Sequence, residues 1–200
     1  MASWNWGPAV TARFDGLLGE SVSHIVGVPF RNCATVGGSV FSRFGFSDLT
    51  CALLALDASV VLYRGGEVPL TEFMASPIAF DDILLKVRIK DDSRHAAYQS
   101  VRRSATDFPT LAVAVSCLDG QWKVSVGARP GRAVQAEEAA RCLNEGRGPE
   151  AAGVAAGGRG AVAVEKAVEE GEGGSFSVLV LFAALCILRR HEPLHALGTA

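Results

Sequence analysis

Arg31-Asn32-Cys33-Ala34-Thr35-Val36-Gly37-Gly38-Ser39, followed by Ser47-Asp48 at the head of an apolar run to Asp57, is the stretch on which the reading of this chain turns. Two adjacent glycines let a backbone turn without Cβ atoms and come close to a ligand, and consecutive N–H groups form a concave anion site. Thr35 and Ser39 flank the pair with hydroxyls. The arrangement reads as a phosphate-binding loop feeding a helix. A Gly-Gly pair before a strand also serves a plain tight turn or bulge, so the string alone leaves both readings open. Beyond it, Ser47 is placed to cap a helix from Asp48, with Leu49, Ala52, Leu53 and Leu56 recurring at the spacing of one buried face.

Upstream, residues 13–26 read as a short helix with Phe14, Leu17, Leu18 and Val22 on one side, stopped by Gly27 and Pro29, after which an extended segment enters the Gly-Gly loop. Downstream, Ser59-Val60-Val61-Leu62-Tyr63 and Val68-Pro69-Leu70 flank the turn Arg64-Gly65-Gly66-Glu67 and read as a hairpin. Leu85, Val87 and Ile89 alternate with Lys86, Arg88 and Lys90, the period of a strand with one wet face. After a boundary at Asp91-Asp92-Ser93-Arg94 come strands predicted at 96–103, 111–118 and 122–126, the last two joined by Asp119-Gly120 in a hairpin-type turn. Residues 132–143 read as a helix with Ala133, Ala136, Ala140 and Leu143 inward, ended by Gly146. Strands followed by helices imply an α+β fold. From 146 to 174 the chain is rich in Gly, Ala and Glu, and only 161–170 has a helical pattern.

The bulk properties narrow the class. Two hundred residues, 49% of them hydrophobic, suffice for one large or two small packed domains. A net charge of −2 carries no electrostatic footprint for nucleic acid. Five cysteines without CxxC spacing imply neither a disulfide framework nor a zinc or iron–sulfur site, and fit a reducing cytoplasm. The N-terminal residues lack a basic segment followed by an apolar one, so no secretory signal is expected. The apolar run 178–188 is shorter than the ~20 residues of a membrane span, and is expected to be a buried helix. His24, His95, His191 and His195 are scattered, and Pro193 interrupts the last pair, so no metal site is expected.

The order RNxATVGGSxF…SDLxxALLALDAxVxL resembles the FAD-binding subunit of the molybdenum hydroxylases, the group of xanthine dehydrogenase and carbon monoxide dehydrogenase. The likeness continues through Asp81-Asp82-Ile83-Leu84-Leu85-Lys86-Val87-Arg88-Ile89, then Tyr98-Gln99-Ser100-Val101-Arg102-Arg103-Ser104-Ala105-Thr106-Asp107, then Val126-Gly127-Ala128-Arg129-Pro130-Gly131-Arg132-Ala133, in the family's order. It covers roughly residues 13–145. The resemblance implies that residues 1–90 form the second lobe of a two-lobed FAD-binding domain. It implies that residues 91–200 form an antiparallel sheet packed with helices, like the carbon monoxide dehydrogenase flavoprotein C-terminal domain, with the match weak after about 145.

In such flavoproteins the cofactor carries the redox chemistry, so no catalytic side chain and no metal ligand is expected in this chain. The resemblance implies that Thr35, Val36, Gly37, Gly38 and Ser39 cradle the FAD pyrophosphate, that Asp48 accepts hydrogen bonds from the ribitol or ribose side, and that Leu84 packs against the adenine or flavin edge. Asp48 is also what a helix dipole favours in a first turn, and the two roles are compatible. Phe41, Phe44 and Phe46 either cover a planar ring or belong to the core. Arg102, Arg103 and Asp107 face the flavin, a docking partner or solvent. The implied function is that of an oxidoreductase subunit. Electrons from a molybdopterin-binding large subunit and an iron–sulfur small subunit would pass through FAD to NAD or another acceptor, in the cytoplasm and away from nucleic acid and membrane.

Three departures from the pattern matter, one being that the family's final helix with its Tyr-Arg-Arg is not recognisable in residues 171–190. The family's lysine near 98–100 is absent, and nothing before residue 31 resembles the first FAD-binding lobe with its own Gly-Gly-Thr-Asp type loop. The alternative expectation is therefore a truncated, non-catalytic assembly module that keeps the fold and binds no FAD.

Overall fold

The structure, a computed structural model, describes residues 7–25, 27–77, 81–105, 107–128 and 131–147. The expected helix at 161–170, the apolar run 178–188 and the His191–His195 pair lie outside the described residues.

The fold is organised around one buried helix. Ser47 Oγ accepts the amide of Thr50 at 3.3 Å and starts α5 (Asp48–Ala55), all of whose residues are buried. A buried helix still needs partners for its last carbonyls. The amides of Leu56, Ala58 and Asp57 meet Ala52, Leu53 and Leu54, and the sheet beside the helix adds Ser116 Oγ, which donates to Ala55 O at 2.6 Å, Gln135 Nε2 to Leu54 O at 2.9 Å and, one turn earlier, Ser125 Oγ to Cys51 O at 2.7 Å.

That sheet is antiparallel, in the order β4-β5-β6-β7: β4 (His95–Val101), β5 (Leu111–Leu118), β6 (Gln121–Gly127) and β7 (Val134–Gln135). Asp119 and Gly120, both at positive φ (50° and 77°), make the two-residue turn between β5 and β6, pairing Leu118 with Gln121. Strand β5 is buried on both faces, and its alternation sorts residues by size. Ala112 and Ala114 face the core around α5, whereas Val113 and Val115 join Val124, Ala139, Cys142 and Leu143 beneath α7 (Glu137–Asn144). Small residues on the α5 side let helix and sheet approach closely.

A second antiparallel sheet has the order β2-β1-β3, from β1 (Ser59–Leu62), β2 (Gly66–Pro69) and β3 (Leu84–Arg88). The Asp82 carboxylate holds its hairpin turn through the amides of Arg64 (3.0 Å) and Gly65 (2.8 Å). Val60 and Leu62 of β1, together with Leu70, Phe73 and Met74 of α6 (Leu70–Ala75), belong to the same core cluster as α5, Ala96, Tyr98 and Ala112. This core runs across the residue 90/91 division read from the sequence.

Several local expectations are corrected. Residues 13–26 are broken by Phe14, Asp15 and Gly16 at φ of 54°, 55° and 86°, so a 3-10 turn (Phe14–Gly16) precedes α2 (Leu17–Ser23); α1 is Pro8–Thr11. The segment before the glycines is extended only at Ala34 and Thr35; ahead of them lies α3 (Val28–Cys33), with Pro29 in its first turn, where a missing N–H costs nothing. The predicted Gly-Gly loop is itself helical, the start of α4 (Val36–Phe41). Residues 132–143 divide into β7 and α7, and Gly146 ends α7 at φ 69°. A bulge between Val61 and Leu62 shifts the register of β3, which leaves Leu85 exposed while Leu84, Val87 and Ile89 pack on the core. No helix of the described residues is long and apolar enough to cross a membrane.

Candidate functional site

Helices α3, α4 and the start of α5 surround a cleft of about 440 Å³. Thr35 Oγ1 accepts the amide of Gly38 at 3.0 Å, so Thr35 is the N-cap of α4, and its own hydroxyl proton remains available to a ligand. Thr35, Gly38, Ser39 and Ser42 give the cleft a wall of hydroxyls and backbone, with Ser47 and Asp48 at its base. A Cβ on Gly38 would stand 2.9 Å from Thr35 Oγ1, so the cap itself requires glycine there; a Cβ on Gly37 would meet only Leu84 Cδ2, at 3.9 Å.

The expected site residues therefore divide. Thr35, Gly38, Ser39 and Asp48 line the cleft. Val36, Gly37 and Leu84 lie on the opposite flank of α4, where Val36 and Leu84 pack on the hydrophobic core. Leu84 is thus a packing partner of α4 in this structure, not part of the cleft wall.

The opposite wall is aromatic. Phe44 and Phe46 stack with ring centroids 5.0 Å apart, and Phe46 lies 4.3 Å from Phe108. They are not core residues: Phe44 is 55% and Phe108 54% exposed. Phe41 turns away from them, onto Phe73. The turn that carries Phe44 and Phe46 is fixed from below, since Gly131 O occupies the place of a Gly45 side chain and the Ala128 amide donates to Gly45 O at 2.5 Å.

Two charged side chains line the cleft, Asp48 and Arg102, and they form a buried ion pair with side-chain exposures of 4% and 8%. Asp48 Oδ1 accepts from both Arg102 Nη2 and Tyr98 Oη. Burial, and then the charge of Asp48, pushes the Tyr98 phenol well above its ordinary range, so it stays protonated and donates. Arg102 Nη1 donates to Asp107 O at 2.8 Å, while its Nε is buried without a partner. An unmet buried donor costs about 1–3 kcal/mol, a debt a ligand acceptor would cancel after a small shift of the guanidinium. Sequence reading noted Arg102 and Tyr98 without linking either to Asp48, which is 54 and 50 residues away; no local pattern carries that pairing.

The segment that forms most of this cleft is also the one that decides the comparisons with known proteins. Residues 6–89 match the family described as the FAD binding domain in molybdopterin dehydrogenase. This part of the chain resembles that family. The chain is 32% identical over 113 residues to YgfM, an uncharacterized protein of Escherichia coli (strain K12), and spans 43% of the length of that relative. In structure it is similar to quinoline 2-oxidoreductase from Pseudomonas putida 86 (TM-score 0.74, 18% identity, 93% of this chain and 71% of that one). It is similar also to carbon monoxide dehydrogenase from Oligotropha carboxidovorans (0.75, 19%, 92% and 71%) and from Hydrogenophaga pseudoflava (0.73, 20%, 92% and 70%). At these identities the structural likeness establishes the α+β fold, with its helices and antiparallel sheets.

The residues present fit FAD. The molecule combines a planar ring, a hydroxylated chain and an anionic pyrophosphate. The cleft sets beside one another an aromatic wall, a carboxylate acceptor, hydroxyl donors and an arginine with an unmet donor.

Proposed function

We propose that this chain is the FAD-carrying, electron-transferring subunit of a molybdenum hydroxylase-type oxidoreductase, partnered by a molybdopterin-binding large subunit and an iron–sulfur small subunit, with NAD or another acceptor downstream. The observation that carries this reading is that the cleft wall from Ile25 to Asp48 falls wholly within the stretch matching the FAD-binding family. FAD, when bound, supplies the redox chemistry, accepting electrons from one donor and handing them to a second acceptor.

The chain's own residues bind and orient. The Thr35 and Ser39 hydroxyls offer hydrogen bonds to phosphate or ribose oxygens, and Asp48 accepts from a ligand hydroxyl at the base of the cleft. Phe44, Phe46 and Phe108 provide apolar ring faces that exclude water from one side. Val36, Gly37 and Leu84 act behind this wall by seating α4 on β3. The same reading places the chain in the cytoplasm, a reducing compartment that suits five cysteines without CxxC spacing.

Titration of the protein with FAD, followed by flavin fluorescence, tests the reading. Saturable binding is expected, weakened about tenfold by Asp48→Ala, which removes hydrogen bonds to a charged acceptor. Equal binding by wild type and Asp48→Ala would displace FAD from this cleft.

A further inference from the structure

Asp48 is held in an unusual way for a carboxylate at a cleft. One oxygen, Oδ1, takes both Tyr98 Oη and Arg102 Nη2, while among the described residues nothing bonds Oδ2. Both donors come from beyond the segment that matches the FAD-binding family, from β4 and the turn after it. Arg102 is itself fixed at its far end by Asp107 O. The carboxylate thus cannot rotate without giving up two hydrogen bonds, and its open oxygen keeps a single direction.

We propose that Tyr98 and Arg102 are positioning residues that lock Asp48 through Oδ1 so that Oδ2 is a pre-aimed acceptor for a sugar-type hydroxyl of the cofactor. This rests on the FAD reading above and deepens it: the meander sheet, not the Gly-Gly segment, sets the geometry at the base of the cleft. The orphaned Nε gives the guanidinium a second bond to form when a ligand oxygen arrives beside it. Preorganisation of this kind raises affinity by removing the cost of fixing the acceptor at the moment of binding.

A double-mutant cycle on FAD binding tests the proposal, with thermal melts recorded on every variant. Arg102→Met is expected to weaken FAD binding about tenfold, Tyr98→Phe by several-fold, and Arg102→Lys to recover at least half of the arginine effect. Asp48→Asn keeps the shape and an oxygen for Arg102 but turns an NH₂ group to the cleft, so it loses the hydroxyl acceptor without unfolding. In that background Arg102→Met and Tyr98→Phe should each change affinity less than twofold. Losses that are the same in both backgrounds, or melting shifts without any loss of affinity, would overturn the proposal. Tyr98→Phe preserves volume and decides the matter alone should Arg102→Met fold poorly. If wild type takes up no FAD, the functional reading falls and this inference with it; if wild type binds and the cycle is additive, only the inference falls.

Discussion

Helices α4 and α5 begin alike and end in opposite circumstances. Each starts from a hydroxyl N-cap, Thr35 on the amide of Gly38 and Ser47 on that of Thr50. Every residue of α5 is then buried, with its terminal carbonyls met by serine and glutamine side chains of the neighbouring sheet. In α4 only Val40 is buried. The lesson is a division of labour: α5 is the fixed base on which Asp48 stands, and α4 is a thin wall whose cleft side is polar and whose far side rests on Leu84 and the core. The cleft wall sits where little stability is invested, beside an element where much is.

The sharpest way to break this comparison is to truncate equivalent apolar residues in the two helices. Leu53→Ala in α5 removes a fully buried side chain and is expected to cost about 2–5 kcal/mol in urea unfolding; Val36→Ala, on a half-buried site, is expected to cost about 1 kcal/mol. Similar costs at both positions would contradict the division.

The base of α5 also carries a pH signature. Burial pushes the Cys51 thiol up from 9.0 to about 12, with the hydrogen bond it shares with the Ser125 side chain opposing and the charge of Asp48 adding to the rise. The folded state thus keeps a proton that the unfolded state releases. The stability this gives is complete below about pH 9 and is lost as the pH rises towards 12, by about 2–4 kcal/mol at most. Cys51→Ala should flatten that part of the stability profile relative to wild type. An unchanged alkaline slope would show that the thiol ionises as readily in the fold as outside it.

The glycine pair gives a finer contrast. Gly38→Ala sets a Cβ against Thr35 Oγ1 and is expected to cost about 0.5–2 kcal/mol, the worth of an N-cap, whereas Gly37→Ala meets open packing and should stabilise α4 by about 0.5 kcal/mol. Calorimetric melting of the two variants separates them. The reverse order would mean that the cap is not what holds α4.

Much of this architecture was legible in the chain because it is encoded locally. Ser47 before an apolar helical run, Asp119-Gly120 between alternating strands, and Gly146 after α7 each mark their element through side-chain chemistry within a few residues. The failures have physical causes too. Pro29 reads as a stop, yet proline is equally at home in a helix's first turn, and Gly37-Gly38 reads as a turn because glycine weakens a helix. Here the Thr35 cap and the packing against β3 outweigh that weakness. Whether Phe44 and Phe46 enter the core or line a cleft depends on the turn at Gly131, nearly ninety residues away in the chain. For the same reason, the sequence alone placed Asp48 at a helix start but could not show that β4 and its following turn hold one of its oxygens.

The central claim, that FAD lies on the cleft side of α4 and over the start of α5, is tested most directly by nuclear magnetic resonance of isotope-labelled protein titrated with FAD, which registers weak as well as tight binding. The amides of Thr35, Gly38, Ser39, Ser47 and Asp48 should shift saturably, together with those of Arg102 and Phe108, while β1 and the centre of β5 stay still. Shifts confined to the exposed side of β3 around Leu85, or none at all with FAD in the millimolar range, would contradict the account.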